Sequence, residues 1–382
     1  MANSLHLSRE AKVYVKFGTK YWQIPVLDGF SFSQSTNTAE VTVKEMATSA
    51  DVSRRGRLMF NDSLAPAEWS FSTYARPFTR SVSDGNGGTQ DEHHMCEEVL
   101  WAMLAGVNKN EYTAGTKLFS NGITASETKS TVDFAGSNQM QFDTATILFH
   151  FPGNNGAAGT DLWYQVENAT VNECSADFDI DGITTLSWSG SGTKITEPAS
   201  TPDVSSIEVS ATELGSTASF IRNRLSTISI TASDTTAFPG GDTNGVYSLV
   251  LTGGSITITN NSEYVTPASL GVVNVPLGHT MGTRSISGNF TCYVDHNTAS
   301  SADLLEDLML SSSSIKNSFN VTMSVGGSST PKVDFKIPKA HLEIPTHSVE
   351  DVVSVEVGFH ALPSDISSTD EMTVEYVGIT SQ

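Results

Sequence analysis

Short runs in which every second residue is apolar recur along the chain, and each reads as a β-strand with one covered face. They include Val13–Phe17, Trp69–Tyr74, Leu225–Ile230, Ser255–Ile258, Lys332–Ile337 and Val353–Val357. Helical spacing is clearest at two places, Glu97–Leu104 (EEVLWAML) and Ala302–Leu310 (ADLLEDLML), and predicts helices over 97–105 and 302–311. The second has Asp303 and Glu306 in its opening turns, where the helix dipole favours acids.

Thr196–Ser219 is rich in Pro, Ser and Thr and reads as a linker, over about 196–219. Its place just past the midpoint prompts a comparison of the two halves. Val26–Gly29 with Ser31–Ser33 answers Val250–Gly253 with Ser255–Thr257. Phe71–Tyr74 answers Phe290–Tyr293, and Val99–Leu104 answers Leu304–Met309. Tyr164–Val166 and Ala169–Val171 answer Phe335–Ile337 and Ala340–Leu342, and Leu186–Trp188 answers Val355–Val357. Any two strand-rich halves can be aligned piecemeal; the shared order is what favours duplication. The expected domains are 1–198 and 199–382. The extra residues of the first fall in long loops near 46–66, 81–90 and 106–137, and at Asn154–Thr160.

Charge sharpens this picture. Of 382 residues only 16% are charged, and 42 acids against 21 bases leave a formal charge of −21. Such a chain has too little positive charge to grip a phosphate backbone, which is held by Lys and Arg; acidic surface also serves plain solubility. Cys96, Cys174 and Cys292 are far apart and odd in number, so no disulfide framework or paired-cysteine metal site is indicated. The first residues carry no apolar signal core and no apolar run spans a membrane, so a soluble protein made in a cytoplasm is expected. The sequons at Asn168 and Asn289 then mean little.

Candidate chemistry is sparse. Asp177–Gly182 imitates the start of a calcium loop, but the twelfth position is Trp188 where a bidentate glutamate is needed, and Asp181-Gly182 reads better as a hairpin turn. His93, His94, Cys96, Glu97 and Glu98 crowd together without a zinc spacing, and a solvated helix start is the plainer reading. No phosphate loop, nucleophile elbow or HExxH is present. No enzyme activity and no cofactor is expected. Arg54, Arg55 and Arg57 form the one concentrated basic patch; they can bind phosphate, or pair with carboxylates of a neighbouring subunit, the better reading in an acidic self-assembling protein.

Together the order of strands and helix, the duplication, the acidity and the Ser/Thr-rich composition resemble the tail tube proteins of tailed bacteriophages. The resemblance is carried by Trp22–Glu45, by Ala50–Leu58 (ADVSRRGRL) and by the strand, helix and hairpin series that follows. It spans nearly the whole chain, as a pattern and not as a diagnostic motif. It implies a mainly β fold of two tandem tail-tube-like β-sandwich or split-barrel domains, each with one flanking α-helix. In that family six such domains form a ring, and rings stack into a tube through which DNA is ejected; a duplicated subunit makes the same pseudo-hexameric ring from three copies. This chain is similar to that variant, with halves that have diverged far. The expected partners are the chain itself in trimeric rings, other tail proteins, and DNA that passes without specific binding. The expected location is the virion tail, after assembly in the host cytoplasm.

Two alternatives share parts of the profile. A decoration, baseplate or fibre protein of the virion would also be acidic and strand-rich. A carbohydrate-binding module or glycosidase would use Trp22, Trp69, Trp163 and Trp188 as sugar platforms, although tryptophans on alternating strands are commonly core. On the tube reading, a wall-lining strand carries charge at every second position. Glu167, Glu173, Asp177 and Asp179 in the first half, and Asp334, Glu350 and Glu356 in the second, are the candidate lumen-facing carboxylates. Arg54, Arg55 and Arg57, in a loop over Met46–Pro66, are the candidate contacts between rings.

Overall fold

A computed structural model describes residues 6–40, 58–83, 87–114, 117–119, 121–134, 141–153, 161–179, 181–215, 219–266, 270, 274–310, 318–328, 330–344, 346–349 and 352–379. Antiparallel strands dominate it, as the alternating pattern predicts. The first half holds β1 (Lys12–Phe17), β2 (Lys20–Ile24), β3 (Ser31–Ser33), β4 (Thr36–Glu40), β5 (Met59–Leu64), β6 (Ala67–Tyr74), β7 (Pro77–Ser83), β8 (Thr89–Met95) and helix α1 (Glu98–Ala105). It continues with β9 (Tyr112–Thr113), β10 (Leu118–Phe119), β11 (Ile123–Ala125), β12 (Ser130–Asp133), β13 (Ala145–Phe151), β14 (Leu162–Asp179), β15 (Thr185–Gly192) and β16 (Lys194–Thr196). After α2 (Ala211–Gly215) come β17 (Thr227–Ala232), β18 (Val246–Ser248), β19 (Leu251–Thr259), β20 (Ser262–Val265), β21 (Gly278–Met281), β22 (Ser285–Tyr293) and α3 (Ser301–Leu310). The chain ends with β23 (Phe319–Val325), β24 (Lys332–Leu342), β25 (Thr346–Val349), β26 (Val353–Ala361) and β27 (Thr373–Val377).

The pairing order of the first half recurs in the second. Strands β2, β1, β13, β14, β15, β6 and β3 are neighbours in that order. Strands β18, β17, β23, β24, β26, β22 and β19 follow the same order. Irregularities recur too. Ala145 faces Ala169 and Ile147 faces Val166, with a bulge between; Phe319 faces Ala340 and Val321 faces Ile337, with the same bulge. A further correspondence has its partners exchanged. Trp69 lies over its cross-strand partner Gly190, whereas Phe359 lies over its partner Gly288. An aromatic ring covers a glycine on the neighbouring strand in each case, which keeps the packed volume while moving the ring from one strand to the other.

The buried residues explain the pattern. Helix α1 is apolar on every side apart from Glu98, and it is enclosed, packing on β14 and β12. Its Trp101 meets Trp188 of β15 edge-on at 5.0 Å between ring centres and donates Nε1–H to the Tyr376 hydroxyl at 2.9 Å. The helix stops at Gly106, whose φ of 74° is the left-handed geometry a glycine adopts freely. Trp22, Trp69, Trp163 and Trp188 are all buried, so none of them is a sugar platform.

Several sequence expectations change. The stretches read as long loops are strand-forming where they are described: β5 lies within 46–66, β7 and β8 run into 81–90, and β9 to β12 lie within 106–137. Strand β12 pairs with β27, so the first half extends the sheet of the second, and Lys129 and Lys336 both hold Glu375 there, at 2.6 and 2.7 Å. The stretch read as a linker carries α2 and is pinned by Arg80 Nε to Glu213 at 2.8 Å and by the Tyr112 hydroxyl to Glu208 at 2.8 Å. Residues 46–57, with Arg54, Arg55 and Arg57, lie outside the described residues, as does Glu350.

The start of α1 is buried, not solvated. His93, His94, Cys96, Glu97 and Glu98 are all enclosed. His93 accepts from the Gly378 N–H through Nδ1 and meets the Glu127 carbonyl through Nε2, and burial pushes its imidazole below the ordinary value. His94 sits between Glu98, at 3.2 Å, and Glu92, at 3.8 Å. Among the described residues no group of His, Cys, Asp and Glu is arranged to hold a metal ion, and no helix is long and apolar enough to cross a membrane.

Candidate channel and assembly surface

Eight strands form one continuous antiparallel sheet across both halves, in the order β3, β6, β15, β14, β19, β22, β26, β25. Strand alternation gives it two unlike faces. One face packs inward through Trp69, Phe71, Trp188, Cys174, Ile256, Ile258, Phe290 and Val357, all at most 3% exposed. Helix α1 lies on this face through the Trp101–Trp188 contact.

The other face is a lawn of short hydroxyl side chains. Ser72, Ser187, Ser175, Thr257 and Ser287 form one cross-strand row. Ser31, Ser70, Ser189, Glu173 and Thr259 form a second. The hydroxyls bond to one another, Ser31 to Ser70 at 2.9 Å and Ser72 to Ser187 at 3.1 Å. Five carboxylates stand among them: Glu68, Glu173, Asp177, Asp179 and Glu356. Thr259 donates to Glu173 at 3.4 Å, and Asn289 bridges Ser255, at 3.0 Å, and Glu356, at 2.6 Å. No lysine or arginine occupies a described outward position of these eight strands. Such a surface offers a phosphate backbone hydroxyls, amides and like charge, and no lysine or arginine from these strands.

Four of the candidate carboxylates therefore share this face: Glu173, Asp177, Asp179 and Glu356. Two do not. Strand β14 is 18 residues long and crosses from one sheet into another through two bulges, so its ends serve different surfaces. Glu167 precedes the second bulge and is tied to Lys194 at 3.6 Å and Thr196 at 2.6 Å, opposite β16. Asp334 is 5% exposed, accepts from Lys332 at 2.7 Å and faces Glu375 of β27 across their ladder. Glu68 was not picked out by sequence reasoning, although it stands in phase with Ser70 and Ser72.

The sheet has two free ends. Among the described residues, β3 has a ladder only with β6, and β25 only with β26. In the middle, β14 of the first half and β19 of the second make a seven-pair ladder from Glu173–Thr259 to Asp179–Gly253. Unpaired strand edges are templates for another chain. Beside the β3 edge, the hairpin of β4 and β5 stands away from the core, with Met59 52% and Phe60 56% exposed.

No family model matches the chain. Its sequence is 28% identical over 391 aligned residues to the tail tube protein pb6 of Escherichia phage T5, an alignment that takes in 99% of this chain and 76% of the relative. A mainly β chain with a continuous polar-faced sheet is thus similar, over almost its whole length, to a tail tube protein of a bacteriophage, as the resemblance of its sequence pattern implied.

Proposed function

We propose that this chain is a structural subunit of a phage tail tube, an internal duplication in which three copies close a pseudo-hexameric ring and rings stack around an acidic channel. The observation that carries this reading is the eight-strand sheet, with one packed face, one hydroxyl-and-carboxylate face and, among the described residues, an end strand with a free outer edge on each side. Closure into a barrel removes both edges at once. The recurring pairing order supports two equivalent ring places per chain, hence three chains for six places.

The polar face, with Glu68, Glu173, Asp177, Asp179 and Glu356, is the proposed channel wall. Like charge holds phosphates off such a wall over about one Debye length, roughly 8 Å in physiological salt. Short serines and threonines offer no cationic anchor. The genome then passes without a fixed binding site. Arg54, Arg55 and Arg57 are proposed to meet carboxylates of an adjacent ring.

Negative-stain microscopy of the purified protein, with mass measurement of the smallest ring, tests this. Hollow tubes and a three-chain ring are expected. A six-chain ring would sink the duplicated-subunit reading, and a net positive channel wall in the assembled tube would contradict the ejection mechanism.

A further inference from the structure

The chain contains a worked copy of a seam between a first and a second half, the ladder of β14 on β19. Its two strands each have a counterpart whose outer edge carries no ladder among the described residues. The counterpart of β19 is β3. Ser31–Ser70, Phe32–Trp69 and Ser33–Glu68 correspond pair for pair to Ser255–Asn289, Ile256–Gly288 and Thr257–Ser287, on the same scale that matches Phe71 to Phe290. The counterpart of the end of β14 is β25. Ser175–Ser187, Ala176–Leu186 and Asp177–Thr185 correspond to Thr346–Glu356, His347–Val355 and Ser348–Ser354, in step with Trp188 and Val357. The long strand of the first half is represented in the second by two strands, β24 and β25, with Pro345 between them.

The hairpins beside these strands follow suit. The hairpin of β20 and β21 is seated on the first half: Tyr264 donates its hydroxyl to the carbonyls of Asn168, at 2.5 Å, and Ser191, at 3.0 Å, and Ser262 N–H donates to Asn172 at 2.7 Å. The hairpin of β4 and β5 occupies the matching place beside β3, yet Leu58, Met59 and Phe60 are more than half exposed. Its base is tied to Asn274, by Leu64 N–H to the Asn274 carbonyl at 2.9 Å and by Asn274 N–H to the Asp62 carbonyl at 3.2 Å, while its apolar end is left to solvent, and a two-stranded ribbon has little stability of its own in water. The positions matching Asn168 and Ser191 are Lys339 and His360, with His341 facing His360 across β24 and β26.

We infer that a second copy of this chain adds to the free edge in one defined register: β25 of one copy pairs antiparallel with β3 of the next, Thr346 facing Ser33, His347 facing Phe32 and Ser348 facing Ser31. The β4–β5 hairpin then lies over Lys339 and His360 of the copy that supplies β25. The register comes from the internal seam, where Ser175 faces Thr257, Ala176 faces Ile256 and Asp177 faces Ser255. This rests on the ring reading above and goes beyond it by fixing which residues meet.

Cysteine pairing reads the register directly, because directly opposed residues on antiparallel strands bring Cα atoms to about 4.5–5.5 Å, inside the roughly 4.4–6.8 Å that a disulfide spans. The native thiols are poor competitors: burial pushes Cys96 up to about 12 and Cys292 up to about 11, and holds Cys174 well above its ordinary value. Ser33→Cys with Thr346→Cys, and separately Ser31→Cys with Ser348→Cys, are oxidised in isolated rings and run on denaturing, non-reducing gels. Ser175→Cys with Thr257→Cys is the control that links within one chain. Each double variant is first shown to form rings under reducing conditions. The expected result is a ladder from one or both matched pairs that ends at three chains, with none from the slipped combination Ser31→Cys with Thr346→Cys. Rings that link only in the slipped combination, or in neither matched pair while the control links, overturn the register and leave the ring reading standing. Failure of the unmodified chain to form rings under any condition overturns both.

Discussion

Glu97 is a carboxyl buried at the start of α1, and replacing it should stabilise the protein in a pH-dependent way. It is 1% exposed, and burial pushes it up to about 7, against the pull of the Tyr376 hydroxyl and the Arg76 backbone N–H. A free glutamate titrates near 4.3, and each unit of difference is worth about 1.4 kcal/mol, so the gap amounts to about 3–4 kcal/mol. The sign follows from which state ionises first. Below about pH 4 both folded and unfolded chains carry the proton and nothing is lost. From there to about 7 the unfolded chain ionises while the folded carboxyl stays neutral, so stability falls as pH rises, and the loss is complete above 7. Glu97→Gln is neutral at every pH and nearly isosteric, and its amide can keep the Tyr376 contact. Its gain in unfolding free energy should be near zero at about pH 4 and grow to about 3 kcal/mol by about pH 8. Urea unfolding followed by tryptophan fluorescence measures this, since Trp101 and Trp188 lie in the same core. A gain that is the same at all pH values, or a loss at about pH 8, would refute the reasoning, because neither follows from a carboxyl held neutral by burial.

Three further outcomes are expected. Gly190→Ala should lower stability by about 1–3 kcal/mol, since a Cβ there would meet the Thr170 carbonyl at 2.0 Å and the Trp69 ring at 2.6 Å, whereas Gly278→Ala, with nothing within 4 Å, should leave the melting temperature unchanged. Replacing Glu173, Asp177 and Asp179 together with lysine should leave tubes intact by microscopy and slow DNA release from assembled particles, with the delay shrinking at high salt; an unchanged release rate would remove these residues from the channel wall. Changing Arg54, Arg55 and Arg57 to glutamate should stop tube growth in light scattering while circular dichroism stays that of the folded chain, and normal tubes from that variant would end their role between rings.

Local sequence was enough to pick out the alternating strands and the two apolar helices, because period-two alternation and a short apolar helical run are local properties, but not β5, β9 to β12 or α2, which lie in stretches read as loop or linker. The helices over 98–105 and 301–310 fall within one residue of their expected bounds. Phe71 and Phe290, Trp188 and Val357, and Ala169 and Ala340, matched by their order along the sequence, occupy similar cross-strand places, as the proposed duplication expects. Alternation says that Glu173, Asp177 and Asp179 share a face. It cannot say that Asp334, equally in phase on its own strand, is buried beside Glu375 of β27, since that neighbour comes from far along the chain. Nor can it show that two bulges in β14 turn Glu167 toward β16. The polar cluster from His93 to Glu98 reads as a wet helix start because its residue types favour water, yet Arg76, Glu92, Glu127, Tyr376 and Gly378 enclose it. Burial is a property of what arrives from elsewhere in the chain, and only the tertiary structure decides that.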